Sequence, residues 1–140
     1  MPNPTLKQAV VIGAGMGGLA AAKAVAHHFE KVIVFDRDAL QDGPAPRPGT
    51  PQARDTHNLL AGGFRALEHL FPGIELDLFE AGAVRMRMRR DMRFEVPGSD
   101  PLPRRDFGFD QFALSRPSLE RVCRRRSNGS RISSSDRACA

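Results

Sequence analysis

Gly13, Gly15 and Gly18 follow the apolar run Ala9-Val10-Val11-Ile12, and an acid, Asp36, closes the next apolar run, Val32-Ile33-Val34-Phe35. Glycines so spaced after a buried strand suit phosphate chemistry. Gly13 permits a tight turn, Gly15 lets the backbone approach a pyrophosphate, and Gly18 lets a helix pack closely on the strand. The segment Gly13-Ala14-Gly15-Met16-Gly17-Gly18 therefore predicts a helix start whose N–H groups and positive dipole end face an anion. The Asp36 carboxylate can accept hydrogen bonds from a ribose 2′-hydroxyl and would repel a 2′-phosphate, which favours FAD or NAD over NADP. A lone glycine triplet is a weak signal. Here strand, glycines, Ala-rich helix and acid-terminated second strand come in order within about 30 residues, and a glycine-rich turn without ligand leaves Asp36 unexplained.

The elements that position these residues follow from the pattern. Gln8–Ile12 reads as a strand, 17–28 as a helix kept slim by Ala20, Ala21, Ala22, Ala24 and Ala26, and Lys31–Phe35 as a second, parallel strand. The expected class is α/β, a Rossmann-like FAD/NAD(P)-binding domain with an N-terminal βαβ unit. The stretch 41–52 then holds four prolines and two glycines and predicts a long loop without a helix. An apolar repeat predicts a helix from Asn58 to Leu70, ended by Phe71-Pro72-Gly73, and another over Ile74–Ala81. Alternation over Val84–Val96 predicts a strand or bent hairpin arm with arginines outward, Met86, Met88 and Met92 lying in the core. A further strand is expected over Phe107–Ala113. Ser115-Arg116-Pro117-Ser118 predicts a helix start, continued by a basic helix to Arg126. The stretch 127–140 has five serines and one large apolar residue, Ile132, and predicts no packed element.

Composition bounds the rest. With 140 residues and 41% hydrophobic content there is room for one small domain. The net charge of +5 comes from residues 85–126, where twelve Arg and no Lys face six acids. Only Phe is available for base stacking and no nucleic-acid motif occurs, so nucleic acid is disfavoured as a partner. Two cysteines near the end predict no disulfide framework. With no apolar stretch long enough for a membrane span and no signal-like segment, the expected setting is cytoplasmic.

Assembled, these residues resemble the N-terminal part of flavin-dependent monooxygenases of the aromatic-hydroxylase-like superfamily, and more narrowly bacterial FAD-dependent oxidoreductases related to polyether epoxidases. The similar pieces are the segments 10–19 and 34–37, then Gly43-Pro44-Ala45-Pro46-Arg47-Pro48-Gly49, Pro51-Gln52-Ala53-Arg54-Asp55-Thr56-His57, and Leu114-Ser115-Arg116-Pro117-Ser118-Leu119-Glu120. The resemblance covers residues 8–126. It implies FAD as cofactor, with Gly13, Ala14, Gly15, Gly17 and Gly18 on the ADP half and Asp36 on the adenosine ribose. It further implies Arg37 beside the adenine or pyrophosphate, Arg54 and His57 near the flavin, and Arg116 as a cofactor contact. Asp55 departs from the family pattern, where a histidine is common.

The implied activity is oxygenation of a small hydrophobic molecule. The family's second flavin-contacting segment usually contains Gly-Asp, and no such dipeptide occurs here. The chain is therefore expected to be an incomplete, truncated or frame-shifted portion, inactive in isolation, with residues 127–140 a disordered or frame-shifted tail. The alternatives are a non-catalytic dinucleotide-binding remnant and an NAD-binding oxidoreductase domain. The Pro-rich loop argues against the latter.

Overall fold

In the computed structural model, which describes residues 6–128 and the backbone of residues 132–135, β1 (Leu6–Ile12) and β2 (Phe29–Phe35) pair in parallel, with Ile12 opposite Phe35. Both runs are rich in β-branched and aromatic residues, which fit a pleated, packed surface. Helix α1 (Met16–Val25) connects them, so the expected strand–helix–strand unit is present. Ala9, Val11, Val32 and Val34 pack with Ala14 and Ala22, whose small side chains let the helix lie close to the sheet.

The turn into α1 depends on two glycines. Gly13 has φ +98, a region that L side chains rarely adopt. Gly18 is required by space: a Cβ there would stand 1.7 Å from the Gly13 carbonyl oxygen and 2.8 Å from its carbon. The expected role of Gly18 in helix–strand packing is thus met by a backbone contact.

The loop after β2 runs to a short 3-10 helix, Pro51–Arg54, at the end of the Pro-rich stretch. A second, antiparallel sheet follows, with β3 (Asn58–Leu59) and β4 (Val84–Arg87) on either side of β5 (Asp110–Ala113). Helices α2 (Ala61–Leu70) and α3 (Ile74–Glu80) lie between β3 and β4 in the chain, and α4 (Arg116–Ser127) follows β5. Leu67, Phe71, Ile74, Leu78, Phe112, Leu119 and Val122 from this part of the chain join Leu19 of α1 in one buried cluster. Each such side chain contributes about 1.5–3 kcal/mol by burial. Phe112 of this cluster meets Phe64 at 4.7 Å and Phe79 at 5.7 Å between ring centroids.

Several expectations change. The helix expected from Asn58 begins at Ala61, because Asn58 and Leu59 pair with Ala113 and Phe112. The strand expected over Val84–Val96 ends at Arg87. There the Asp91 carboxylate accepts from the Arg87 backbone N–H at 2.9 Å and from its guanidinium at 3.1 Å. That closes a turn in which Arg89 has φ 65, and the alternation beyond it is not used. Met86, Met88 and Met92 are half-buried and lie outside the core clusters. Phe107–Phe109 precede the strand expected to include them, and regular pairing starts at Asp110.

The stretch expected to hold no packed element contains β6 (Ile132–Ser135), parallel to β2 with Val32 opposite Ile132. Residues 129–131 and 136–140, Cys139 among them, lie outside the described residues. Among the described residues, no helix is long and apolar enough to cross a membrane, and no cluster of residues suits a metal ion.

Space at the two helical glycines separates their roles. Gly18→Ala is expected to cost about 1–3 kcal/mol of stability through overpacking. Gly17→Ala, whose Cβ meets nothing within 4 Å, is expected to be neutral or mildly stabilising. Urea unfolding of the two variants checks this, and equal midpoints would contradict the packing argument.

Candidate functional site

The carboxyl end of a parallel sheet, at the turn into the following helix, is where α/β folds bind ligands. Here that place is a cleft of about 370 Å³ lined by Ile12, Gly13, Gly15, Met16, Gly17, Asp36, Arg37, Arg47, Gly49, Thr50, Gln52 and Arg116. Five of the residues singled out from the sequence (Gly13, Gly15, Gly17, Asp36, Arg37) and a sixth, Arg116, meet there. Ala14 is buried behind the cleft, and Gly18 serves packing. Arg54 is exposed and lines a neighbouring hollow with Pro46, Arg47, Pro48 and Pro51.

The floor of the cleft is the start of α1. Gly15 is the N-cap residue, no side chain caps the helix, and its first turn has no acid. The first N–H groups and the positive dipole end therefore have no competing anion from their own helix.

Asp36 is the hinge between this turn and the loop after β2. One oxygen, Oδ2, accepts from the Ala14 N–H at 2.6 Å, and Oδ1 accepts from the Asp38 N–H at 2.9 Å. Oδ1 also stands 2.9 Å from Arg47 Nη1. Burial pushes the Asp36 carboxyl up, but the two backbone donors and the Arg47 charge outweigh it and hold the group below the ordinary carboxylate value.

Arg47 and Glu120 complete the site, and neither was assigned a role from the sequence. The Arg47 side chain is 10% exposed. Its Nη1 reaches Asp36 and, at 3.3 Å, Asp38, and its Nη2 reaches Glu120 Oε2 at 3.2 Å. Burial works against its charge, but Asp36 and Glu120 more than compensate, so its pKa is raised. Asp38 Oδ2 also accepts from the Gly49 N–H at 2.6 Å, which ties the loop end to the same cluster. Pro46 and Pro48 flank Arg47 and restrict the backbone that presents it. Helix α4 brings the remaining two groups: Ser115 caps it by accepting from the Ser118 N–H at 3.2 Å, and Arg116 Nε donates to Glu120 Oε1 at 3.0 Å. The signals were an arginine between prolines and an i,i+4 Arg–Glu pair; neither reveals a partner 73 residues away.

His57 is half-buried, just before β3, and its carbonyl accepts from the Leu114 N–H. Burial and the Arg116 charge lower its pKa, with Glu120 opposing. Burial pushes the Cys123 thiol up to about 12, so it is not a nucleophile at neutral pH.

No family model matches the chain. Protein Rv3254 of Mycobacterium tuberculosis is 38% identical over 123 residues, a stretch that covers 84% of this chain and 26% of that protein. Among solved structures, the tetrameric form of 2-methyl-3-hydroxypyridine-5-carboxylic acid oxygenase is similar with a TM-score of 0.58 at 20% identity, covering 93% of this chain and 32% of that one. The chain thus spans about a quarter of its curated relative and about a third of the oxygenase, and it shares the fold of that part of the oxygenase.

His57 and Asp36 each make stability decline as pH falls. Unfolded His57 takes a proton near its ordinary 6.5 while folded His57 resists it, so protons favour unfolding below that value. Unfolded Asp36 protonates near 3.8, before the folded group, so a second decline begins there as pH falls. Urea unfolding from about pH 8 to about pH 3 is expected to show both declines, and His57→Gln should remove its share of the first. A parent chain that gains stability between about pH 7 and about pH 5.5 would contradict the signs.

Proposed function

We propose that this chain is the ADP-binding portion of an FAD-dependent oxygenase, with the diphosphate at the start of α1 and the adenosine ribose at Asp36. The observation that carries the reading is Gly15. It adopts φ −73 and ψ −179, ordinary extended backbone open to any residue. A Cβ there would meet nothing nearer than 3.8 Å. Neither conformation nor packing within the chain calls for glycine at this position. A ligand lying against the backbone does.

The residues fit the group. The α1 N–H groups supply donors for phosphate oxygens, and the guanidiniums of Arg37, Arg47 and Arg116 line the same cleft. An ionised carboxylate has about four acceptor sites, and at Asp36 three are taken, by Ala14, Asp38 and Arg47. The remaining one suits a ribose hydroxyl, which donates, and not a 2′-phosphate, which does not. Ile12, at the end of β1, offers the cleft an apolar edge.

FAD bound there would supply the redox chemistry. This chain's residues would bind and orient its nucleotide half. An oxygenase named for a small pyridine carboxylic acid shares this fold over 93% of the chain, which supports oxygenation of a small molecule as the activity. The hydrophobic character of the substrate, Arg37 at the adenine or pyrophosphate, and Arg54 and His57 near the flavin are the parts of the reading that rest on the family resemblance.

Calorimetric titration tests the reading. The parent chain is expected to bind FAD and ADP at least about tenfold more tightly than NADP. Gly15→Val should lose this binding while keeping an unfolding midpoint near that of the parent. A parent that binds none of the three, or a folded Gly15→Val that binds as well as the parent, would overturn the assignment.

A further inference from the structure

Resting on the nucleotide reading above, we propose that Glu120 is a positioning residue that holds the Arg47 and Arg116 guanidiniums together at the phosphate-binding end of the cleft.

Glu120 is 3% exposed and spends one oxygen on each arginine, Oε2 on Arg47 and Oε1 on Arg116. The two cations come from different elements, the Pro-rich loop and the first turn of α4. Within reach of one carboxylate, the two guanidiniums would repel each other and splay if that carboxylate were neutral. The cluster also stands against the glycine turn: a Cβ on Gly15 would lie 3.8 Å from Glu120 Oε1 and 3.9 Å from Arg47 Nη2.

A buried anion beside an anion site is a costly choice unless it organises cations there. The cations keep capacity to spare. A guanidinium has five N–H donors. Arg47 commits three, to Asp36, Asp38 and Glu120, and Arg116 commits one, to Glu120, among the described residues. The uncommitted donors belong to residues lining the cleft. Glu120 therefore acts through the two arginines, not by touching the nucleotide.

The test compares ADP with adenosine, which shares the base and ribose but has no phosphate. Glu120→Gln keeps the size of the side chain and one acceptor oxygen, but places an amide NH₂ against the second guanidinium. ADP affinity is expected to fall about tenfold, with adenosine affinity unchanged within about twofold and a shallower salt dependence of ADP binding. Glu120→Asp, which retains the charge, should recover part of the loss. It also carries the ADP–adenosine comparison if Glu120→Gln does not fold. Equal weakening of both ligands marks a merely structural role and overturns the inference, as does an unchanged ADP affinity. A parent that binds no ADP at all overturns the nucleotide reading itself, a result distinct from a parent that binds ADP and a variant that binds it equally well.

Discussion

The loop side of the cleft hangs on one guanidinium among three carboxylates. Arg47 meets Asp36 at the end of β2, Asp38 in the loop beyond it and Glu120 on α4. The loop that carries Arg47 is anchored at its ends, by Leu40 against the core and by the Gly49 N–H on Asp38. Gly43, Pro44, Ala45, Pro46 and Pro48 are exposed, and an apolar anchor is not available among them. Arg121 and Arg124 of α4 donate to the Asp42 and Gln41 carbonyls at its start. Truncating one partner of such a buried cluster strands the others without compensation, a cost of about 3–5 kcal/mol. The wall of the cleft opposite α1 is therefore held by charge, whereas the α1 side is held by apolar packing.

This division explains why one half of the site could be read in the sequence and the other could not. The glycine turn is local. Its residues lie within six positions, and Gly13 and Gly18 have backbone reasons to be glycine that a spacing pattern records. The strand–helix–strand unit was legible for the same reason, since apolar runs and an Ala-rich helix imprint directly on the chain, and so was the Ser115 cap. Arg47 and Glu120 were quoted in the motifs but had no visible roles, because their pairing spans 73 residues. The chain writes down charges; only the fold says which ones meet.

The misread elements follow a similar rule. Residues 84–96 alternate well enough for a strand, yet a local hydrogen-bonded turn between Arg87 and Asp91 ends the pairing. Ile132–Ser135 has almost no apolar pattern, yet it extends the parallel sheet. A strand added at a sheet edge is bonded through its backbone, and backbone bonding leaves little trace in residue type. Asn58 and Leu59 are drawn into pairing with β5, and α2 starts two residues later. In each case a partner, near or far, outweighed the intrinsic period.

One feature of β1 reaches beyond the cleft. Its inner face packs on α1 through Ala9 and Val11, but Leu6 and Val10 are each 53% exposed. Among the described residues β1 pairs with β2 alone, so its other edge offers a row of backbone donors and acceptors. Parallel strands ordinarily lie covered on both faces, and an uncovered edge is a template for another strand. A strand or face laid against β1 would bury these groups and add to the free energy of the folded state. By mass action, such binding would raise the melting temperature with the concentration of the bound species.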